Sequence, residues 1–343
     1  MEVKRMDDYH LFEIKPNSSI IEHFNNHPTC IDKEFNFILQ KTELRSIESN
    51  PDRFKTALLD KNKTKNRYSN VLPYEDTRVK LNIDDLDLDE NDDPEEVTDY
   101  INASFLSGGN YICTQGPLLN TINDFWKMIW EQRSNVIVML TKEEENHKIK
   151  CDKYWPDEGK IQCGRYQIKF ENKITIPEIS IRREFTLTDL KTNQSISVKH
   201  FQYTTWPDHG TPVSTTNFLK FVGHVDHEVR TGPITVHCSA GIGRSGTFCV
   251  IHSVVSNYIK EYEEKKLPPS LNLPKTVVEF RNERAGMVQT RDQYRFCYLA
   301  ISETMSATIK KDQRKRKGLS YSYSSIPITP NHDNDNATTT AFQ

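Results

Sequence analysis

Cys238 and Arg244 stand at the two ends of a glycine-rich run, His237-Cys238-Ser239-Ala240-Gly241-Ile242-Gly243-Arg244-Ser245-Gly246, and are the residues of this chain best suited to chemistry. Before the run, Ile234-Thr235-Val236 reads as a short buried strand. After it, the apolar residues from Thr247 to Val255 recur at helical spacing, so the run opens a helix. Unpaired backbone N–H groups at a helix start face any anion seated there. A free cysteine with a pKa of about 8.5 is only a few per cent thiolate at neutral pH, and helix N-termini and nearby cations lower that value. The loop N–H groups, the helix dipole and the Ser245 hydroxyl are therefore expected to favour a thiolate at Cys238. A guanidinium grips two non-bridging phosphoryl oxygens at once, a geometry lysine cannot supply. Nucleotide-binding loops carry a Lys-Ser/Thr pair after their last glycine, whereas here Arg244-Ser245 follows and a cysteine leads. The run reads as a phosphate cradle with a nucleophile in it.

Other stretches carry further signals. In order they are Asn66-Arg67-Tyr68 with Pro73-Tyr74 and Arg78-Val79, then the run from Asp99 to Ser104, Gln115-Gly116-Pro117 and Asp124-Phe125-Trp126. Lys150-Cys151 with Tyr154-Trp155-Pro156, Trp206-Pro207-Asp208-His209-Gly210, and Gln289-Thr290 with Gln293-Tyr294 complete the set. Together with VHCSAGIGRSGTF, these match the motifs of the classical non-receptor protein tyrosine phosphatases, in that family's order. The chain resembles that family over roughly residues 35 to 305.

The resemblance implies an α/β fold, a central twisted mixed sheet flanked by helices, and hydrolysis of phosphotyrosine in proteins through a phosphocysteine intermediate. It implies no metal and no cofactor. Cys238 is the expected nucleophile and Arg244 the phosphate clamp, with Ser239, Ala240, Gly241, Ile242 and Gly243 lining the cradle. Taken alone, Trp206 to Gly210 reads as a turn; by resemblance it is the closing loop that brings Asp208. A carboxylic acid there protonates the leaving phenolate, a contribution of about 10²- to 10⁴-fold, and then acts as base on a water. The resemblance assigns that water to Gln289, assisted by Gln293. It places Tyr68 against the substrate ring, deepening the pocket beyond the reach of phosphoserine. Many relatives carry an aspartate where this chain has Asn70, so the contact to the substrate backbone loses its charge. Glu145 falls where the family pairs a glutamate with the signature arginine, and Lys150 and His237 fall at supporting positions. Arg281 and Gly286 match positions lining a secondary pocket, while Asn102, Gln115 and Trp126 read as structural.

The 343 residues, with 36% apolar content, are enough for one large core. Residues 31–309 are the expected catalytic domain, residues 1–30 an extension ordered in part at best, and residues 310–343 a basic, then polar, disordered tail. Residues 84–96 form an acidic insertion that self-repulsion keeps exposed. Val136 to Leu140 reads as a buried strand, and Ile179, Ile181, Phe185 and Leu187 as alternate positions of a half-exposed one. Helices are expected at 123–132, 215–229, 276–284 and 293–309.

A net charge of −3 argues against bulk nucleic-acid binding. Seven cysteines, an odd number without Cys-x-x-Cys spacing, suit a reduced compartment rather than disulfides or zinc. The charged N-terminus lacks a signal peptide's apolar core, and no window approaches the ~18 apolar residues of a membrane span. The expected partners are phosphotyrosyl proteins and the expected location cytoplasmic. The basic run Arg314 to Lys317 suits a weak contact with an anionic surface. The alternative is a catalytically silent phosphotyrosine-binding module of the same fold. Silent relatives lose the acid or the nucleophile, and this chain keeps Cys238, Asp208, Arg244 and Gln289. A dual-specificity phosphatase would lack the Asn66-Arg67-Tyr68 segment.

Overall fold

The computed structural model describes residues 29–43, 47–83, 98–207, 210–228 and 230–316. The N-terminal extension as far as residue 28, the acidic insertion, Asp208 and the tail beyond Arg316 lie outside the described residues. The strands are β1 (Arg78–Lys80), β2 (Tyr100–Leu106), β3 (Tyr111–Thr114), β4 (Val136–Met139), β5 (Glu144–Glu145), β6 (Lys148–Ile149), β7 (Lys160–Cys163), β8 (Tyr166–Ile176), β9 (Ser180–Asp189), β10 (Gln194–Tyr203) and β11 (Ile234–His237). The longer helices are α1 (Cys30–Thr42), α2 (Ile122–Glu131), α3 (Thr215–Asp226), α4 (Gly243–Lys265), α5 (Leu273–Glu283) and α6 (Arg291–Arg316).

Among the described residues one mixed sheet runs β1-β2-β3-β11-β4-β10-β9-β8-β7, and β5 pairs with β6 apart from it. Its centre is parallel: β11 lies between β3 and β4, and β10 lies parallel to β4. The flanking pairs are antiparallel. Both faces of the central strands are covered, which is why they read as continuous apolar runs rather than alternating ones. Val136, Val138, Ile234 and Val236 pack with Phe218, Phe248, Val277 and Phe296 on one side. Ile112, Ile137 and Met139 pack with Phe125, Trp126 and Ile129 on the other. Truncating one such side chain to alanine costs about 2–5 kcal/mol, so this core holds the central strands in register. That register sets His237 between Thr114 and Met139, and the loop carrying Cys238 leaves the sheet at this point.

The strand expected at Val136 and the helices expected after Asn123, Thr215 and Thr276 are present, with ends shifted by a few residues. Two elements differ from expectation. Helix α1 was not foreseen: its inward face is only Ile31, Phe35 and Ile38, and it buries a carboxylate, Glu34, that accepts hydrogen bonds from Tyr294 (2.6 Å) and Tyr298 (2.8 Å). Helix α6 continues past Ile309 to Arg316, so the polar tail does not begin at 310. Lys, Arg and Gln are good helix formers, and basic side chains near a helix C-terminus offset its dipole. Residues up to Ser306 form one compact unit and Ala307 onward a second, of which the end of α6 is described.

Candidate active site

Between β11 and α4 the chain turns through residues 238–242, and each carbonyl in the turn has a partner outside it. Cys238 O lies 3.2 Å from His237 Nδ1, and Ser239 O accepts from Gly116 N–H (2.9 Å). Ala240 O and Gly241 O both accept from the Arg284 guanidinium (3.1 and 2.9 Å). Ile242 O accepts from the N–H groups of Gly246 and Val288 (3.0 and 3.1 Å). With the carbonyls turned outward, the N–H groups are left for the interior of the cradle. Gly241 N–H donates to Cys238 Sγ at 3.2 Å, and Cys238 is 5% exposed. Ser245 is fully buried and its Oγ makes no hydrogen bond with a described residue, so the sulfur's partner is the loop backbone and not that hydroxyl.

Gly241 is the one position where the turn tolerates only glycine. Its φ is +74°, and a Cβ there would lie 2.1 Å from Thr114 O. Gly243 faces the amides of Gln289 and Gln293, whose atoms would come within about 3.1–3.2 Å of an added Cβ. Gln293 Oε1 accepts from Gln289 N–H (2.9 Å), which fixes both glutamines beside the loop. Val288, just before them, takes φ 58°, a costly conformation for a β-branched residue. It is held by its bond to Ile242 O and by Arg281, whose guanidinium donates to Met287 O and Val288 O (both 2.8 Å). Arg281 thus supports the loop. It also borders, with Gly286, Tyr74 and Thr42, a cavity of about 420 Å³ where the secondary pocket was expected.

Arg244 is clamped from behind. Its Nη1 and Nη2 donate to Glu145 Oε1 (2.6 Å) and Oε2 (2.8 Å), Nη1 also to Leu140 O (3.1 Å), and Nη2 to Pro207 O (3.2 Å). Glu145 is buried, which alone would raise its pKa. The paired bonds from Arg244, with those from Lys142 N–H and Thr141 Oγ1, outweigh burial and hold the carboxyl below its usual range. The pairing inferred for Glu145 is therefore present. The bond to Pro207 O ties the residue before Asp208 to Arg244, while Asp208 itself is outside the described residues.

A directional chain of buried groups runs to the backbone of Cys238, and the sequence did not reveal it. Arg183 Nη1 lies 3.3 Å from His200 Nδ1, His200 Nε2 lies 2.9 Å from Tyr154 Oη, and Tyr154 Oη lies 2.7 Å from His237 Nε2. A guanidinium only donates and a carbonyl only accepts. One assignment satisfies every link: Arg183 to His200 Nδ1, His200 Nε2–H to Tyr154, Tyr154 O–H to His237 Nε2, and His237 Nδ1–H to Cys238 O. Burial keeps both imidazoles neutral, pulling His237 down to about 4 and His200 well below its ordinary value.

Tyr68 Oη and Ser239 Oγ are 2.9 Å apart, which joins the tyrosine loop to the cradle. The loop is anchored by its preceding residues. Asn66 Oδ1 accepts from Tyr100 Oη (2.5 Å) and Asn102 Nδ2 (2.9 Å), and Arg67 donates to Gly116 O, Pro117 O and Asp152. Asn102 and Gln115 are structural in this way, and Trp126 donates to Tyr154 O (2.7 Å). Asn70 is exposed. Lys150 N–H bonds Glu143 O (2.8 Å), and its carbonyl packs against Gly116. Arg284, also unforeseen, is fully buried, and burial lowers its pKa. Besides the two loop carbonyls it bonds Asn102 Oδ1 and Ser104 Oγ.

A cysteine sulfur bonded by a loop N–H, beside a carboxylate-clamped arginine and paired glutamines, makes a cradle suited to a phosphoryl group. The family model described as protein-tyrosine phosphatase matches residues 62–303, and the chain belongs to that family, whose members hydrolyse phosphotyrosine. It is 63% identical to tyrosine-protein phosphatase 2 of Dictyostelium discoideum, across 95% of this chain and all of that one. It is also 38% identical to human tyrosine-protein phosphatase non-receptor type 20, over 80% of this chain and 62% of that protein. Chicken receptor-type tyrosine-protein phosphatase S is likewise 38% identical, over 82% of this chain and 18% of its own length. Among the described residues no helix is long and apolar enough to cross a membrane.

Proposed function

We propose that the chain removes phosphate from tyrosine in proteins with Cys238 as nucleophile. The observation that carries this reading is the cradle itself, in which Gly241 N–H reaches Cys238 Sγ while Glu145 holds Arg244 at its rim. In the first step the sulfur attacks phosphorus, the phosphorus–phenolate bond breaks, and Asp208 protonates the departing tyrosine oxygen. Arg244 and the loop N–H groups hold the equatorial oxygens as their charge develops. In the second step a water held by Gln289 and Gln293 gives its proton to Asp208 and attacks phosphorus. The sulfur–phosphorus bond breaks and phosphate leaves. Tyr68 walls the pocket and confines the reaction to the long phosphotyrosyl side chain.

Action in signalling and a cytoplasmic location belong to the same proposal, supported by the likeness to non-receptor relatives. The basic end of α6 supports a weak anionic contact there.

The test is steady-state hydrolysis of a phosphotyrosyl peptide with chelator present. Wild-type turnover should persist, Cys238→Ser should abolish it, and Asp208→Ala should slow it at least about a hundredfold while peptide binding remains. Wild-type binding without turnover would turn the reading to a phosphotyrosine-binding module.

A further inference from the structure

The parallel strands have two ends, and only one carries the catalytic loop. At the other, the turn joining β2 to β3, the chain entering β11 and one side of α4 enclose a cavity of about 520 Å³. Its wall is polar, with Asn110, Arg230, Thr231, His252, Ser256 and Asn257 among the lining residues. The strand β11 separates it from Cys238 by about 13 Å, at 3.3 Å per residue, so it is distinct from the catalytic cradle and from the pocket beside Gly286.

His252 is the informative residue. It is 3% exposed and lies on the cavity wall, yet no step of phosphoryl transfer uses it. Ser253 hydrogen-bonds Tyr111, and Tyr111 Oη lies 2.7 Å from His252 Nδ1. With Ser253 donating to Tyr111 and Tyr111 to His252 Nδ1, the remaining nitrogen, Nε2, is left as a donor. Nε2 faces Asp226 Oδ1 at 3.4 Å, a long contact that still helps hold the Asp226 carboxyl below its usual range, and it has no shorter partner among the described residues. At that length the link is weak, longer than the roughly 2.7–3.2 Å of a good N–H···O bond, so a closer acceptor can replace it. Arg230 completes the setting: it lines the cavity and makes a loose 3.6 Å approach to Asp226, both side chains being substantially exposed. Such a pair is worth little, so the guanidinium can turn onto a planar or tetrahedral oxyanion. The remaining walls are fixed, since Asn110 O accepts from Ile234 N–H (3.0 Å) and Thr231 Oγ1 donates to Arg133 O (2.9 Å).

We propose that this cavity binds a small polar molecule by an oxyanion, phosphate or carboxylate. Arg230 grips the anion, His252 Nε2–H donates to it from the wall, and Ser256 and Asn257 hydrogen-bond the body of the ligand. Asp226, half exposed, turns to solvent when the site fills.

The test blocks the catalytic cradle by carboxymethylating Cys238 and follows backbone amides by NMR as inorganic phosphate, and separately acetate at matched ionic strength, is added. The amides of Asn110, Thr231, Ser256 and Asn257 should shift together and saturate. Saturation by phosphate marks a phosphoryl ligand and saturation by acetate a carboxylate ligand. Arg230→Met and, independently, Ser256→Asp should weaken the saturation at least tenfold. Unmodified Arg230→Met enzyme should keep its peptide kcat/KM within twofold, which establishes that it is folded. No saturable shift with either probe, or saturation that both substitutions leave unchanged, overturns the proposal.

Discussion

Residues 238–242 surrender every carbonyl to partners outside the turn, whereas Tyr68 and Asn70 project from a loop anchored through the side chains of Asn66 and Arg67. Under the proposed function both regions face the same substrate. The first is defined by backbone, glycine and buried guanidinium, so its shape tolerates almost no change. The second has a fixed root and an exposed tip, so its tip can vary in charge without disturbing the fold. The proposed function thus puts the chemistry common to every substrate in the rigid element and discrimination between substrates in the adjustable one.

The comparison breaks most severely at Gly241. Gly241→Ala puts a methyl group 2.1 Å from Thr114 O at φ +74°, and neither backbone segment can retreat without losing its bonds to Arg284 or to β2. Activity should be lost and the melting transition lowered by more than any tip substitution lowers it. Near-normal turnover would show that the cradle is more plastic than its contacts imply.

Next in size is Glu145→Ala, which leaves Arg244, 13% exposed, facing an empty carboxylate site. Removing one partner of a buried pair costs about 3–5 kcal/mol, and a phosphate clamp displaced by an ångström costs about a hundredfold in rate. Denaturant unfolding and kcat/KM measure the two separately. Because the Glu145 carboxyl is held below its usual range when folded, its contribution is present above the unfolded value, about 4.3. It is lost as pH falls through the lower folded value. The substitution should therefore cost less stability in acid than at pH 7.

A smaller effect is expected at Tyr154→Phe, which removes the link between His200 and His237 and leaves two buried nitrogens unsatisfied. Stability should fall by about 1–3 kcal/mol, and kcat should fall more than KM rises, since the change reaches the substrate only through the nucleophile's carbonyl. A KM effect alone would place Tyr154 in binding instead. The chain also has a pH signature. His237 has a folded pKa of about 4, below its unfolded value of about 6.5, so the native state resists protonation. Between those values His237 alone should cost about 1.4 kcal/mol of stability per unit of falling pH, and His237→Asn should remove that share while His200, also lowered by burial, keeps its own.

The same contrast explains what the sequence made legible. Cys238, Arg244 and the glycines between them act within one turn, so their types and spacing are visible together. Glu145 was legible only through resemblance, because its partner lies in a distant segment. Arg284 reads as the end of a helix and Arg183 as one more strand residue. Their importance comes from burial against groups far away in sequence, and that is set by how β10, β4 and β11 align. Asp208 is expected only from the resemblance of its loop, and the fixed point beside it, Pro207 O on Arg244, emerges only in three dimensions. Helix α1 was missed because two strongly buried apolar residues are too few to reveal a period, although Glu34 beside them anchors Tyr294 and Tyr298.

The mildest change sharpens the comparison from the adjustable side. Asn70 is exposed at the loop tip, where a carboxylate would accept substrate backbone N–H groups more strongly than an amide oxygen does. Asn70→Asp should lower KM for a phosphotyrosyl peptide by about threefold to tenfold, with kcat unchanged, because a charged acceptor is worth about twice a neutral one. A small aryl phosphate has no backbone to offer, so its KM should not move. If both substrates improve alike, the residue acts on the cradle and the division between a rigid chemical element and an adjustable recognising one fails at this point. If only the peptide improves, the tip reads the polypeptide and the cradle reads the phosphate, each without reference to the other.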